Sequence, residues 1–335
     1  QMFESDKATK AIIMKELDKI KNGEIDDKLI ENVKRHYAQL YKVQDEEPDS
    51  KIQNLLYSFV YNKPIDDIFT ESERIQNLTK EEIVRVAKKY FDAPYMTISF
   101  DEDTKTPKAK TLPKPNIKPV EPSHEETPYA KAFKQLPKES IKQTFNDFND
   151  VKVSSLGENV TLHYSTNTKN DVFSLVLRYG VGAHEMPLLP YAAELMSDAG
   201  IMGNPAVEGK DFKVQMADLG ATVRYYCDDS YFTITVAGED ENMNKIMNLV
   251  NRQLLMPYLE QKQLDNLKGG EFFSRLSRQK RTAVQKSALM QYALYGKKSA
   301  YLDEVKFIDI WNMDGVQVQR LIASARTYAL DVFYC

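Results

Sequence analysis

A chain of 335 residues, 42% apolar and 28% charged, is long enough for two medium domains that bury their own cores without metal or disulfide support. A net charge of -4, with lysines interleaved among acids, excludes the basic face that nucleic acid requires. The two cysteines, Cys227 and Cys335, form neither a disulfide framework nor a C-x-x-C pair and leave the compartment open.

The chain opens on Gln1 straight into a charged amphipathic helix pattern rather than a secretion signal. No run approaches the ~18 apolar residues of a membrane-spanning helix. Because the chain starts in a helix pattern and closes on "TYALDVFYC", which reads as a strand, it is expected to be an internal piece of a longer protein. A signal peptide would then lie upstream of it.

Residues 1–103 read as helices followed by one strand. "DDKLIENVKRHYAQLY" places Leu29, Ile30, Val33, Tyr37 and Leu40 on one stripe, and "DSKIQNLLYSFVY" does the same with Ile52, Leu55, Leu56 and Phe59. In "TKEEIVRVAKKYF", Thr79 stands three before Glu82, a capping box, and Ile83, Val86, Ala87 and Tyr90 are expected to point inward. "YMTISF" alternates like a short strand. From 104 to 145 the chain reads as a linker rich in proline and lysine, carrying Pro107, Pro113, Pro115, Pro119, Pro122, Pro128 and Pro137.

Residues 146–335 read as a second module. "VKVSSL", "NVTLHY" and "VFSLVLRYG" are strand candidates, followed by the helix "PLLPYAAELMSDAG" and another from Gly209 to Leu219. "ATVRYYC" and "YFTITVAG" form a hairpin through Asp228, Asp229 and Ser230. Helices are expected from Asn242 to Leu255, from Glu260 to the Arg275–Arg281 region, and up to Gly296. The fold class that follows is α+β: two modules of antiparallel sheet with helices packed on one side, joined by the linker.

Recognisable chemistry is sparse. His36, His124, His163 and His184 never lie three or four apart, so no helix face presents paired imidazoles. His184, in "VGAHEM" between a strand and a helix, has the most suggestive position and no partner. No G-x-S-x-G elbow and no phosphate loop occurs, and the glycines of "GVG" (180–182) and "LGATV" read as turns needing positive φ. The aromatic run Tyr225, Tyr226, Tyr231 and Phe232 reads as peptide contact or as core.

The order of elements carries more. A strand ending in "LRYGVGAHE", the apolar helix "LPYAAELMSDAG", a helix ending "ADLGATV" and the hairpin "YYCDDSYFTITVAG" resemble the pitrilysin or insulinase type of zinc metallopeptidase, the inverzincins. "LTKEEIVRVAKKYFDAPYMTISF" resembles the closing helix and strand of a domain in that family. The resemblance covers nearly the whole chain and is one of pattern.

The family's helix carries H-x-x-E-H, two histidines on zinc and a glutamate as general base, with a further glutamate ligand about 75 residues on. On this chain the resemblance puts Tyr191 and Leu195 at the histidine positions and Glu194 at the base. Glu271, 76 residues beyond Leu195, stands near the position of the third ligand. Two readings of Glu194 stay open, the remnant of a base and an ordinary helix glutamate facing solvent or a lysine. Glu271 likewise reads as that ligand or as a surface acid.

The resemblance implies that residues 1–103 end a catalytic half, 104–145 join the halves, and 146–335 begin a degenerate half without zinc. No catalytic residue and no cofactor are expected in this piece, and zinc is expected in the full-length parent. The implied partners are a peptide or unfolded polypeptide and the catalytic half of the same chain or a homologous subunit. The second reading is an inactive scaffold or chaperone-like relative of the same fold, and the third an unrelated α+β binding module.

Overall fold

The computed structural model describes residues 6–98, 119, 125–137, 140, 145, 148–202, 210–299 and 301–335. The N-terminal stretch is helical: α1 (Asp6–Lys21), α2 (Asp27–Gln44), α3 (Pro48–Val60), α4 (Ile65–Phe69), α5 (Glu71–Gln76) and α6 (Lys80–Phe91). Local chemistry sets the starts. The Asp26 carboxylate accepts the Lys28 N–H at 3.0 Å, and Pro48 opens α3 where its missing N–H would have had no helical partner. Thr79 and Glu82 close the expected capping box at 3.2 and 3.0 Å.

The inward stripes expected on these helices are mostly not buried. Leu29, Val33, Tyr37 and Leu40 of α2, Ile52, Leu55, Leu56 and Phe59 of α3, and Val86 and Tyr90 of α6 are exposed. Between residues 8 and 98 only Ser58 and Ala87 are buried. The helices pack mainly two by two, α1 on α6, α2 on α5 and α3 on α4, and a pair covers one seam where a stripe this wide needs a second layer.

Tyr95–Ile98, the start of the expected strand, forms none, because a strand needs a neighbour to bond and no described strand borders it. Residues 99–100 lie outside the described residues, as does most of the expected linker. Within the linker, Pro128–Lys134 forms a short helix, α7. The Thr127 hydroxyl caps it by accepting the Ala130 N–H at 3.1 Å.

The second module runs β1 (Lys152–Gly157), β2 (Val160–Tyr164), β3 (Val172–Tyr179), α8 (Leu189–Met196), β4 (Gly200–Ile201), α9 (Lys210–Asp218), β5 (Thr222–Cys227) and β6 (Phe232–Glu239). It continues with α10 (Met243–Leu255), β7 (Pro257–Tyr258), α11 (Gln261–Gln279), α12 (Thr282–Tyr295), α13 (Phe307–Trp311), α14 (Gly315–Ala325) and β8 (Leu330–Tyr334). Six strands form one sheet in the order β1-β2-β8-β3-β6-β5, antiparallel throughout except where β8 runs parallel to β2. The class is α+β with a mostly antiparallel sheet. The last strand inserts in the middle of the sheet, between β2 and β3.

One face of the sheet builds the core. In β6, Phe232, Ile234, Val236 and Gly238 are buried while Thr233, Thr235, Ala237 and Glu239 are only partly so, the period-two signature of a sheet covered on one side. α8, α10 and α14 supply the cover through Leu189, Met196, Ile246, Val250, Val318 and Ile322, all fully buried. Gly180 and Gly182 do not take positive φ. A Cβ on Gly182 would lie 2.4 Å from the Asp229 backbone, so that glycine is required by the close approach of the hairpin turn.

The first module docks onto the end of this sheet through α2. Asn32 and Lys28 hold the Asp218 carboxylate at 2.7 and 2.5 Å, and Arg35 donates to the Asp218 carbonyl. Gln39 donates to the Gly220 carbonyl at 2.7 Å. Gly220 has φ +62, and a Cβ there would stand 2.4 Å from Gln39 Nε2, so the glycine meets a conformational and a steric demand at once.

A buried carboxamide fixes α8. Gln253 on α10 accepts from the Tyr225 hydroxyl at 2.6 Å and donates to the carbonyls of Ala199 at 2.6 Å and Met196 at 3.2 Å. It is fully buried. Replacing it by leucine, Gln253→Leu, strips three buried groups of their partner at nearly constant volume. Chemical denaturation should show a loss of about 2–4 kcal/mol.

Candidate functional site

The three positions singled out on α8 point in three directions. Leu195 is 3% exposed and packs into the core, Tyr191 is half-buried, and Glu194 is exposed. α11 packs against α8 and brings Glu271 to the same place. Tyr191, Glu194, Leu195 and Glu271 therefore share one cavity of about 280 Å³, with Asp198 and Ser274 also in its wall. The spacing drawn from the sequence thus joins residues 76 apart in the chain.

Glu271 is not free. Arg275, one turn further along α11, donates from Nε to its carboxylate at 2.6 Å, and Arg278 approaches the same oxygen at 3.4 Å. Glu304, just before α13, completes the set, 2.7 Å from Arg278 and 3.6 Å from Arg275. Two arginines and two glutamates neutralise one another. Arg275 and Glu271 are only 19% and 17% exposed, so their attraction is little screened.

This network was missed in the sequence reading. Its signal was available, since Glu271 and Arg275 stand at i and i+4 and Arg278 at i+7 on one helix face. Glu304 could not be placed without the fold.

The neighbours shift the titrations. Burial, then Glu271, pushes the Tyr191 phenol up, against Arg275 beside it. Burial, then Glu271 and Asp198, raises the Glu194 carboxyl. Glu194 makes no ion pair among the described residues. The lysine-paired alternative for Glu194 is therefore not what the fold builds.

These side chains do not fit a zinc ion. Zinc is held by converging nitrogen, sulfur or carboxylate donors. Leu195 has no donor atom, Tyr191 remains a phenol, and the Glu271 carboxylate is taken by two guanidinium groups. Among the described residues no three His, Cys, Asp or Glu side chains are grouped to hold a metal.

The other candidates are scattered. His36 is exposed on α2, and His184 is exposed beside the hairpin, its backbone N–H bonded to the Asp229 carbonyl at 3.1 Å. His163 stacks on Phe333 at 4.7 Å and lies 3.4 Å from Asp331, while His124 lies outside the described residues. Burial pushes the Cys227 thiol up to about 12, which keeps it protonated at neutral pH and unsuited to nucleophilic attack. The aromatic run divides: Tyr225 and Phe232 are core, whereas Tyr226 and Tyr231 are exposed.

Fold and site together define an α+β module in which α8 and α11 enclose a small cavity closed by a network of two arginines and two glutamates. No family model and no curated protein matches the sequence. Similar solved structures include the M16 peptidase inactive domain from Pseudomonas fluorescens, at 12% identity over 55% of this chain and 46% of that one, TM-score 0.46. The ferredoxin protease FusC, in complex with Arabidopsis ferredoxin, is similar at 10% identity over 95% of this chain and 38% of that one, TM-score 0.49. The periplasmic protease PqqL from Escherichia coli is similar at 13% identity over 96% and 38%, TM-score 0.48. The chain spans less than half the length of each of these structures.

Two outcomes follow for the cavity. The folded pKa of Glu194 lies above its unfolded value, so the native state binds the proton more tightly and stability falls as pH rises through that window. Glu194→Gln should stabilise the chain at neutral pH by about 0.3 kcal/mol, small because the exposed carboxylate is screened, and the gain should vanish at acid pH where both states are protonated. Arg275→Met should cost about 1–3 kcal/mol in the same denaturation assay. Asp198→Asn, which breaks the exposed pair with Lys213, should cost less than about 0.5 kcal/mol.

Proposed function

We propose that this chain is the non-catalytic portion of a zinc metalloendopeptidase of the pitrilysin or insulinase type, and that it supplies wall surface to a chamber that receives peptide or unfolded polypeptide. The observation that carries the reading is the cavity at α8. Tyr191, Glu194, Leu195 and Glu271 line it together, and the Glu271 carboxylate is bound to Arg275 at 2.6 Å, which supports a reading without metal. An arginine brings its own positive charge to the position and needs no metal to balance the carboxylate. In this chain, residues 146–335 act by shape and hydrogen bonding, and zinc belongs to a catalytic half of the full-length parent.

As a chamber wall the module offers the sheet face turned away from the helices and the outer edge of β5. Arg178 lies over the Tyr231 and Phe333 rings at 5.4 and 5.1 Å, and His163 stacks on the same Phe333. These groups make a band of amphipathic surface from the turn before β6 across β3, β8 and β2. Such a surface suits polypeptide of varied sequence, because stacking and cation-π contact ask little of the partner's identity.

The test compares metal content and peptide hydrolysis of the full-length parent with those of this chain, with a chelator control. One zinc and chelator-sensitive hydrolysis in the parent, with neither in this chain, is the expected result. A parent without metal or hydrolysis would replace the reading with that of an inactive scaffold or chaperone-like relative. One tightly bound zinc in this chain alone would overturn the assignment of Tyr191 and Leu195.

A further inference from the structure

A cavity larger than the one at α8 lies between the two modules. It opens where α2 crosses α9 and the start of β5, and its volume of about 590 Å³ falls in the range of sites that hold small organic molecules. Leu29 and Val33 stand one turn apart on α2, as do Val214 and Ala217 on α9, so each helix turns an apolar pair to the gap. Ala221, at the entry to β5, completes the apolar wall. Leu29, Val33 and Val214 are 56%, 45% and 47% exposed, so apolar surface faces water on both sides of the gap.

The polar groups of the wall fall into two sets. In the first, Lys28 is held by Asp218 at 2.5 Å, Lys213 pairs with Asp198, and the Asp26 carboxylate caps α2. Asn32 and Gln39 spend their amides on the Asp218 carboxylate and the Gly220 carbonyl. A charged guest would find no free counter-charge among these groups and would lose hydration for little return.

The second set is the His36 ring and the Thr222 hydroxyl, neither of which forms a hydrogen bond among the described residues. His36 follows Val33 on the same face of α2 and meets Tyr37 edge to face at 5.8 Å between ring centres. One of these groups belongs to α2 and the other to β5. Each module thus brings one unspent polar group to a wall that is otherwise apolar or already paired.

We propose that this cavity is a binding site for an uncharged, mostly apolar small molecule that carries one hydroxyl or carbonyl group. Its body covers Leu29, Val33, Val214 and Ala217, and its polar group bonds to His36. The bound molecule joins the same two modules that Asn32, Arg35 and Gln39 already tie through Asp218 and Gly220. The site is separate from the cavity at α8 and goes beyond the chamber-wall reading, on which it does not rest.

The experiment titrates the 335-residue chain with naphthylmethanol by isothermal titration calorimetry, beside two probes of the same ring system, anionic naphthoate and cationic naphthylmethylammonium. One molecule of the alcohol per chain should bind with a Kd of about 100 µM, and each charged probe about tenfold more weakly. Ala217→Trp fills the gap from an exposed position and should abolish binding with an unchanged circular dichroism spectrum. Leu29→Ser and His36→Ala, both at exposed positions, should each weaken the alcohol about fivefold. Equal binding of the three probes, no binding of the alcohol at about 1 mM, or unchanged affinity in any of the three variants would each overturn the proposal. None of these results depends on zinc or hydrolysis in the parent.

Discussion

The carboxamide of Gln253 is the interaction on which the arrangement of the second module turns. A fully buried amide is costly unless each of its groups is bonded, and here every partner comes from an element that has to stay in place. The Met196 and Ala199 carbonyls fix the end of α8, and the Tyr225 hydroxyl fixes the edge strand β5. With α8 held in rotation, Leu195 must enter the core, Tyr191 must lie against α11, and Glu194 must face the cavity mouth. That face of α8 is thus set from behind, by a residue that lies outside the cavity.

Much of this fold could be read from local pattern. The capping box at Thr79 and Glu82 and the hairpin at Asp228–Ser230 are short-range devices, and both form as their residue types dictate. Long-range pairing was out of reach. "LDVFY" is legible as a strand, but nothing local says that it enters between β2 and β3 and runs parallel to β2. The helix stripes of the first module misled for a related reason: period 3.6 identifies an apolar face and leaves open what covers it. At Gly182 the residue type was informative and the cause was different, a neighbour's backbone rather than a positive φ.

The candidate site was legible in its positions and not in its chemistry. Spacing gathered Tyr191, Glu194, Leu195 and Glu271, whereas the charge that decides their fate sits on Arg275. A carboxylate that is 17% exposed is favoured by a positively charged partner, and here that partner is Arg275. Arg278 and Glu304 then balance the local charge, so the network gains nothing from a further cation. The same economy appears at the junction of the modules, where Asp218 absorbs Lys28 and Asn32 and leaves the neighbouring cavity apolar.

The guanidinium of Arg275 occupies the Glu271 carboxylate, and zinc titration of chains with introduced histidines tests most directly whether it excludes a metal from this cavity. Tyr191→His with Leu195→His supplies the donors while Arg275 still holds Glu271, and the account predicts no tight zinc binding. Adding Arg275→Ala should free the carboxylate and give one zinc per chain. Equally tight binding with and without Arg275, or by the unaltered chain, would contradict the claim.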